Sequence, residues 1–381
     1  MNNESANQRI GESANQRIGV RDSGFEIQDS RFKTVRYWSR KRYLALLLGA
    51  VALVMVVALG AAWGSLAIPP MTVARMLLGR LSWLAISRDW PATWETVLFQ
   101  VRLPRVVLSG LVGAALALAG AVYQGLFRNP LADPYLIGVS SGAGLGATLA
   151  IYFTVQVTWA GLGAISIFAF FGALLATAII YALARVGGKT PVTTLLLAGV
   201  ALGGFLSSIT TYLMLSGEDA FHTFHVVSWM MGSLALANWQ QVRVLAPYLL
   251  VGSAIILVNA RPLNVLQLDE EQAQQLGLNV ERIKLALVVA ASLITASAVA
   301  VSGIIGFVGL IVPHAVRLVW GPDHRFLLPM TTLVGAIFLV LADGVARTLL
   351  SPSELPVGVI TAFCGAPFFL YLLRQKKQAV F

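Results

Sequence analysis

The tetrad Gly-Gly-Lys-Thr at residues 187–190 is the stretch that most resembles a nucleotide-binding motif. In a phosphate-binding loop, glycine N–H groups surround the phosphates, the lysine reaches the β- and γ-phosphates, and the threonine hydroxyl binds Mg²⁺. That loop needs a further glycine five positions before Gly188, where this chain has Leu183. The tetrad is therefore predicted to be a turn after an apolar helix, and the chain is not predicted to bind ATP by itself.

Ionisable residues inside long apolar segments are the second candidate for chemistry, because membrane carriers use such residues to move protons and ions. Asp343 and Arg347 have i, i+4 spacing, so they can pair on one helix face. His314 adjoins Pro313, and Asp133 stands at the edge of an apolar run. A structural ion pair and a proton-coupling site are both open interpretations of Asp343 and Arg347. The sequence has no HExxH motif and no evident paired-carboxylate or Ser/His/Asp pattern, so it predicts neither an enzyme nor a bound cofactor.

The third candidate is an acidic island, Leu-Asp-Glu-Glu-Gln-Ala-Gln-Gln-Leu-Gly-Leu-Asn, between two apolar runs. Asp269 is suited to an N-cap, Gln272 to the third position of a capping box, and Gly277 to the position that ends a helix. Leu268 and Ala273 have the spacing of a hydrophobic staple. Such a short helix is not stable alone. It must pack on its own bundle or on another protein, and both interpretations remain open at this point.

These candidates lie among elements that only a membrane protein would have. The chain of 381 residues is 57% hydrophobic and 12% charged, whereas soluble domains are about half apolar and about a quarter charged. Its single cysteine, Cys364, excludes a disulfide framework. We predict an all-α polytopic membrane protein with ten spans, since the apolar runs reach the roughly 20 residues that a helical span needs. The predicted spans are 43–63, 101–126, 134–153, 162–185, 192–215, 241–259, 283–302, 305–320, 327–348 and 356–373.

Charge distribution predicts the orientation of these spans. Nine of the 27 Lys and Arg residues precede the first span, which explains the net charge of +10 without nucleic acid. Residues 1–42, which repeat ESANQRIG, are predicted to be a disordered basic cytoplasmic tail, residues 43–373 the membrane domain, and residues 374–381 a second cytoplasmic tail. Both termini are thus placed in the cytoplasm. The segment 64–100 is placed outside, with a helix around 71–81 and Trp83, and so is 216–240.

Longer stretches of the sequence resemble the FecCD family, the permease subunits of binding-protein-dependent ABC importers for iron–siderophore complexes, haem and cobalamin. The similarity covers nearly everything from residue 102 to 373 in the family's order. The stretches that carry it are RLPR (102–105), GAALALAGAVYQGLFRNPLADPYLIGVSSGAG (113–144), LLLAGVALG (195–203), WMMGSL (229–234), RPLNVLQLDEEQAQQLGL (261–278), GIIGFVGLIVPHAVR (303–317), DHRFLLP (323–329) and ELPVGVITAFCGAPFFLYLL (354–373).

The resemblance implies the type II ABC importer permease fold and a role for three groups of residues. Residues 269–277 correspond to the coupling helix that docks on the ATPase subunit, which makes the acidic island the place where ATP-driven motion enters the membrane. The residues implied there are Asp269, Glu270, Glu271, Gln272, Gln275, Leu276 and Gly277. Those implied in docking the binding protein are Arg102, Arg105 and Arg347, and those at the cytoplasmic gate are Asn129, Leu131, Pro191 and Val192. Family members often have small polar residues where Pro191 and Val192 stand.

The resemblance also implies partners and a location. The expected partners are a second permease subunit, two cytoplasmic ABC ATPase subunits, a periplasmic or cell-surface binding protein and the lipid bilayer. The expected location is the bacterial inner (plasma) membrane. The expected cargo is a ferric siderophore or haem, with cobalamin as the alternative. An ion-driven secondary carrier, which would depend on Asp343, and a membrane scaffold without transport are the competing interpretations.

Overall fold

The computed structural model describes residues 23–64, 68–80, 87–217 and 220–378. The chain divides into two units, Met1–Leu48 and Gly49–Phe381, and the sites considered below all lie in the second. The helices are α1 Ser23–Ala62, α2 Pro70–Leu78, α3 Ala92–Thr96, α4 Leu103–Leu126, α5 Val139–Tyr152, α6 Ala164–Ala184, α7 Val192–Ser216, α8 Ala220–Met230, α9 Trp239–Val258, α10 Ala260–Val265, α11 Glu270–Gln275, α12 Val280–Ser302, α13 Val308–Trp320, α14 His324–Thr348 and α15 Val357–Gln378. A π-helical segment (Val97–Arg102) joins α3 to α4, and a 3₁₀ turn (Pro134–Ile137) precedes α5. Strands β1 (Thr158–Trp159) and β2 (Leu162–Gly163) form a short antiparallel hairpin.

Seven helical segments of the described residues are long and apolar enough to cross a membrane. Three shorter apolar helices, Val139–Tyr152, Val308–Trp320 and Val357–Tyr371, accompany them. Each of the ten predicted spans overlaps one of these ten segments. The second is longer than predicted, because α3 and the π-helical segment extend α4 backward to Ala92.

The predicted tails differ from the structure. Helix α1 begins at Ser23, inside the segment 1–42 that the sequence predicts to be disordered, and residues 1–22 lie outside the described residues. At the other end α15 continues to Gln378, past the predicted end of the last span at 373. In both places Arg, Lys and Gln extend an apolar helix, and these residues have good helix propensity. The predicted helix around 71–81 is confirmed as α2, whereas Trp83 lies outside the described residues.

Helix α4 is the centre of the bundle and is buried along nearly its whole length. It packs against α14, α12, α13 and α9. A Cβ atom at Gly113 would overlap with the carbonyl oxygen of Gly335 on α14, and one at Gly120 would overlap with that of Gly309 on α13. Small residues therefore set the spacing of the central helices, as is usual where lipid gives helices no hydrophobic drive to associate.

Helix α7 has the opposite character. In its most apolar stretch only 11% of the residues are buried, against 78% in the corresponding stretch of α12. Its exposed residues include Leu197, Val200, Tyr212 and Leu215. Within the described residues, the second unit thus has a closely packed centre and an apolar flank at α7 that no other described element covers.

Candidate functional site

The acidic island folds as the short helix α11, with both predicted ends in place. Asp269 is the N-cap, but its carboxylate accepts a hydrogen bond from the N–H of Glu270 at 2.7 Å, rather than forming the predicted capping box with Gln272. Gly277 has φ +82°, a conformation that favours glycine. Two backbone bonds, from Gly277 to Gln274 (2.9 Å) and from Leu278 to Ala273 (3.1 Å), close the helix in a Schellman motif.

One side of α11 is anchored and the other is exposed. Ala273 is fully buried, whereas Glu271, Gln272 and Gln275 are exposed. Leu276 keeps 66% of its surface exposed at the end of the helix. The helix therefore presents a mixed acidic, amide and apolar surface, on residues for which the family resemblance predicts ATPase docking.

Lys284, in the second turn of α12, links α11 to the bundle. Its side chain is 8% exposed, and its Nζ lies 2.7 Å from Glu270 Oε2 and 3.3 Å from Glu281 Oε1. The same Nζ donates to the carbonyl of Thr190 at 3.2 Å, and Glu281 Oε2 accepts from the N–H of Thr190 at 3.1 Å. We refer to Lys284, Glu270, Glu281 and Thr190 as the Lys284 cluster.

A second link joins α11 to the segment that follows α4. Arg128, which has φ +48°, donates to the carbonyl of Leu268 at 3.3 Å and lies 3.5 Å from Asp269 Oδ1. Gln267 Nε2 donates to the carbonyl of Gly125 at 2.7 Å. The side chains of Arg128 and Asp269 are 37% and 55% exposed, so water screens their attraction.

The predicted gate residues lie in two turns next to these links. Asn129 follows Arg128, and its Oδ1 accepts from the N–H of Leu131 at 2.9 Å, which fixes the turn after α4. Pro191 is the N-cap residue of α7 and follows Thr190, while Val192 is the first residue of that helix. The Gly-Gly-Lys-Thr tetrad is a turn, as predicted, closed by the backbone pairing of Val186 with Lys189. The gate role itself stays a prediction.

At the other end of α4, four charged residues form a group that we call the Arg105 cluster: Arg105, Asp343, Arg347 and Glu354. Arg105 donates to the carboxylate of Asp343 through Nε and Nη2, with a shortest distance of 2.9 Å. Its Nη1 donates to Glu354 at 2.8 Å. The predicted Asp343–Arg347 pair is confirmed at 3.2 Å. Asp343 is only 1% exposed, whereas Glu354 is 39% exposed. A buried carboxylate thus lies between two guanidinium groups, and a more exposed carboxylate covers one of them.

Arg102 is also directed inward. Its Nη1 donates to the carbonyls of Ala61 and Ala62 at 3.3 and 2.9 Å, and the residue is 5% exposed. Arg347 likewise donates to the carbonyls of Gly60 and Trp63. All three arginines predicted to dock a binding protein therefore have partners inside the chain, and the docking role stays a prediction.

Sequence reasoning missed Lys284, Glu281, Arg128 and Glu354. Glu281 and Lys284 have i, i+3 spacing at the start of a predicted span, a pattern that also fits a lysine extending toward the membrane surface. Glu354 comes from a short connection, and 249 residues separate it from Arg105. Local spacing indicates the Glu281–Lys284 pair, but it does not identify the contacts of Lys284 with Glu270 and Thr190 or that of Glu354 with Arg105.

The model of the FecCD transport family matches residues 51–375. The matched residues include both clusters and all ten apolar segments, except residues 41–50 of the first segment. The chain belongs to the FecCD transport family. This FecCD protein is 42% identical to an uncharacterised ABC transporter permease, YvrB of Bacillus subtilis, over 88% of this chain and 95% of the relative. It is 50% identical to the cobalamin import system permease BtuC of Halobacterium salinarum, over 75% of this chain and 76% of the relative.

A solved structure agrees with the fold. The inward-facing structure of an ABC transporter of the metal-chelate type matches with a TM-score of 0.75 and 33% identity, over 87% of this chain and 98% of that one. Other relatives are named for haemin, ferric citrate and molybdate. The FecCD protein is thus a multi-pass membrane permease of the ABC importer class, and its relatives differ in cargo.

Proposed function

We propose that this chain is one of two permease subunits of an ATP-driven importer that takes up an iron complex, a ferric siderophore or haem. A soluble binding protein delivers the cargo, and two separate ATPase subunits supply the energy. The observation that carries the proposal is the family match over residues 51–375, which spans the bundle and the exposed helix α11 together.

The proposed topology has ten crossings and both termini in the cytoplasm. Seven helical segments have the length of a span, α5 and α13 are shorter and apolar, and α15 is apolar from Val357 to Tyr371. Shorter helices are tolerated in a bilayer where surrounding protein satisfies the backbone at their ends. The uncovered flank at α7 supports a second permease subunit or lipid as the neighbour of that helix.

We assign ATPase docking to residues 269–277. A six-residue helix has too few internal hydrogen bonds to persist unless other groups hold it. In this chain Asp269, Gly277 and Lys284 hold its two ends and its side, which leaves Glu271, Gln272 and Leu276 exposed for a partner. Such a fixed, exposed helix suits a surface that a moving subunit pushes.

We place the cargo path along an apolar groove of about 580 Å³ that lies between the end of α8, the segment before α13, and α15. Met231, Phe307 and Phe363 line it together with the small residues Gly358 and Ala362. Apolar and small side chains contact a bulky chelate weakly, and weak contact favours release to the other side of the membrane. Asn129, Leu131, Pro191 and Val192 are proposed to close the cytoplasmic end of the path.

Cobalamin is the second candidate cargo, because the 50% identical archaeal relative is named as a cobalamin permease. The chain should be co-purified with the ATPase encoded beside it and reconstituted in liposomes. Binding protein loaded with ferric siderophore, haem or cobalamin is then added in turn. Stimulation of ATP hydrolysis and uptake by one cargo identifies it. Failure to recruit any ATPase, with transport by this chain alone along an ion gradient, would instead establish a secondary carrier.

Docking of the binding protein through Arg105 has a specific requirement in this structure. Glu354 occupies Nη1 of Arg105 with both carboxylate oxygens, at 2.8 and 3.1 Å, so an acidic side chain of the partner must displace it. Glu354→Gln weakens that competition and leaves Asp343 in place. We expect severalfold tighter docking at low salt and a smaller gain at high salt, where exposed charges are screened. Unchanged affinity would remove Arg105 from the docking surface.

A further inference from the structure

The Lys284 cluster joins three elements that are separate in the chain. Glu270 belongs to α11, Glu281 and Lys284 to the first turns of α12, and Thr190 to the turn that precedes α7. Lys284 reaches all three partners within 3.3 Å, although its side chain is 8% exposed. A buried ammonium group is costly unless it is paired and hydrogen-bonded, so this position is held by its partners.

The cluster binds both backbone polar groups of Thr190. Its carbonyl accepts from Lys284 Nζ at 3.2 Å, and its N–H donates to Glu281 Oε2 at 3.1 Å. Thr190 is itself buried, and the next residues, Pro191 and Val192, begin α7. The peptide that sets the start of α7 is therefore fixed by an ion pair rather than by a regular helix or sheet.

Glu270 is the member of the Lys284 cluster that can separate from Lys284. It belongs to the six-residue helix α11 and is 34% exposed, so water can solvate it when it moves away. Its departure removes one of the two carboxylates at Lys284 and leaves Glu281 to share the lysine with Thr190. A displacement of α11 therefore changes the forces on the residue directly before the proposed gate.

We propose that Lys284 is a positioning residue that transmits displacement of α11 to the segment 190–192. The inference rests on the proposed function, since it takes α11 as the surface on which the ATPase acts. The Arg128–Asp269 contact is a weaker ionic link, because its side chains are 37% and 55% exposed and lie 3.5 Å apart. The two proposed gate segments are thus connected to α11 with unequal strength.

The test is Lys284→Met, which removes the charge and keeps an unbranched apolar stem. Arg282→Met is the matched control, because Arg282 lies on the same helix two positions away and its side chain is exposed. The whole reconstituted importer is compared for ATP hydrolysis and for uptake of binding-protein-delivered cargo. We expect Lys284→Met to hydrolyse ATP while uptake per ATP falls about tenfold, a factor typical of one lost charge-assisted hydrogen bond. Arg282→Met should match the wild type.

A second measurement reads the gate segment directly. Val192→Cys, in a chain in which Cys364 is replaced by alanine, is labelled by a thiol reagent with and without ATP. Its labelling rate should depend on ATP in the wild-type background and lose that dependence with Lys284→Met. Retained dependence, or unchanged uptake per ATP, would overturn the proposal. Loss of ATPase binding in Lys284→Met would also overturn it, since the lysine would then only hold α11 in place.

If Lys284→Met does not accumulate in the membrane, Glu270→Gln takes its place. That variant removes the ionic part of the connection to α11, although the amide oxygen can still accept from Nζ, while Glu281 and Thr190 still hold the lysine. Uptake per ATP should fall severalfold, and an unchanged ratio would overturn the proposal. A wild-type importer that fails to transport any loaded cargo contradicts the proposed function itself, so the two failures are distinguishable.

Discussion

The Arg105 cluster and the Lys284 cluster lie near opposite ends of the central bundle and are built differently. Arg105 and Asp343 come from α4 and α14, two long helices that pack closely along their length. Lys284 binds instead to Glu270 on a helix of six residues and to a single backbone turn. Asp343 is 1% exposed, whereas the two carboxylates at Lys284 are 34% and 26% exposed.

This difference separates a structural group from a transmitting one. Asp343, fixed between two long helices, cannot leave Arg105 unless the bundle opens, and only the exposed Glu354 of that cluster can be displaced. Charges that join a short helix to a turn can change partners at small cost, because water reaches the group that leaves. The confirmed pairing of Asp343 with Arg347, and its additional pairing with Arg105, therefore favour the structural interpretation of Asp343 over proton coupling.

The largest effect is expected for Asp343→Ala, which leaves two buried guanidinium groups without their shared carboxylate. Removing one partner of a buried ion pair costs about 3–5 kcal/mol in the free energy of unfolding. The melting temperature of the detergent-solubilised protein should fall sharply, as followed by the loss of the monodisperse chromatographic peak on heating. Glu354→Gln is the control, and its smaller effect reflects the exposure of that carboxylate. A wild-type melting temperature for Asp343→Ala would contradict the structural role.

Lys284→Met should lower the stability of the protein by an intermediate amount. The lost charge-assisted hydrogen bonds are worth about 1–3 kcal/mol, but water can solvate the carboxylates that remain. The same thermal assay should therefore place this variant between Asp343→Ala and the wild type. If its loss of stability equalled that of Asp343→Ala, the contrast between a structural and a transmitting cluster would disappear.

The smallest effect is expected for Arg128→Met. Exposed ion pairs contribute about 0–1 kcal/mol, and the separation of 3.5 Å from Asp269 is long for such a pair. Melting temperature and uptake per ATP should both stay close to the wild type. A fall in uptake as large as that for Lys284→Met would show that α11 drives both gate segments, and the two links would then be equivalent.

Local patterns in the sequence predicted local structure well. The ends of α11 at Asp269 and Gly277 follow from residue types that favour those backbone conformations. The Asp343–Arg347 pair follows from helical spacing. The apolar runs identified the helices, although not where α1 begins, because polar residues of good helix propensity extend it.

Partners far apart in the chain could not be predicted in the same way. The periodicity of α4 does not reveal that Arg105 meets Asp343, since that contact depends on which helix packs beside α4. Lys284 shows the same limit, because two of its three contacts lie on other elements. Family resemblance predicted a docking role for three arginines, and that role stays a prediction, whereas the inward direction of their side chains required the fold.

The sequence separation of Arg105 and Asp343 also has a consequence for biosynthesis. The carboxylate is encoded 238 residues after the guanidinium that it neutralises. At a synthesis rate of about 5–20 residues per second, the ribosome needs roughly 10–50 s to complete that stretch. During this interval the newly inserted α4 carries Arg105 without its final partner. Water and lipid headgroups must solvate that charge until α14 enters the membrane, so insertion of α14 completes the assembly of this end of the bundle.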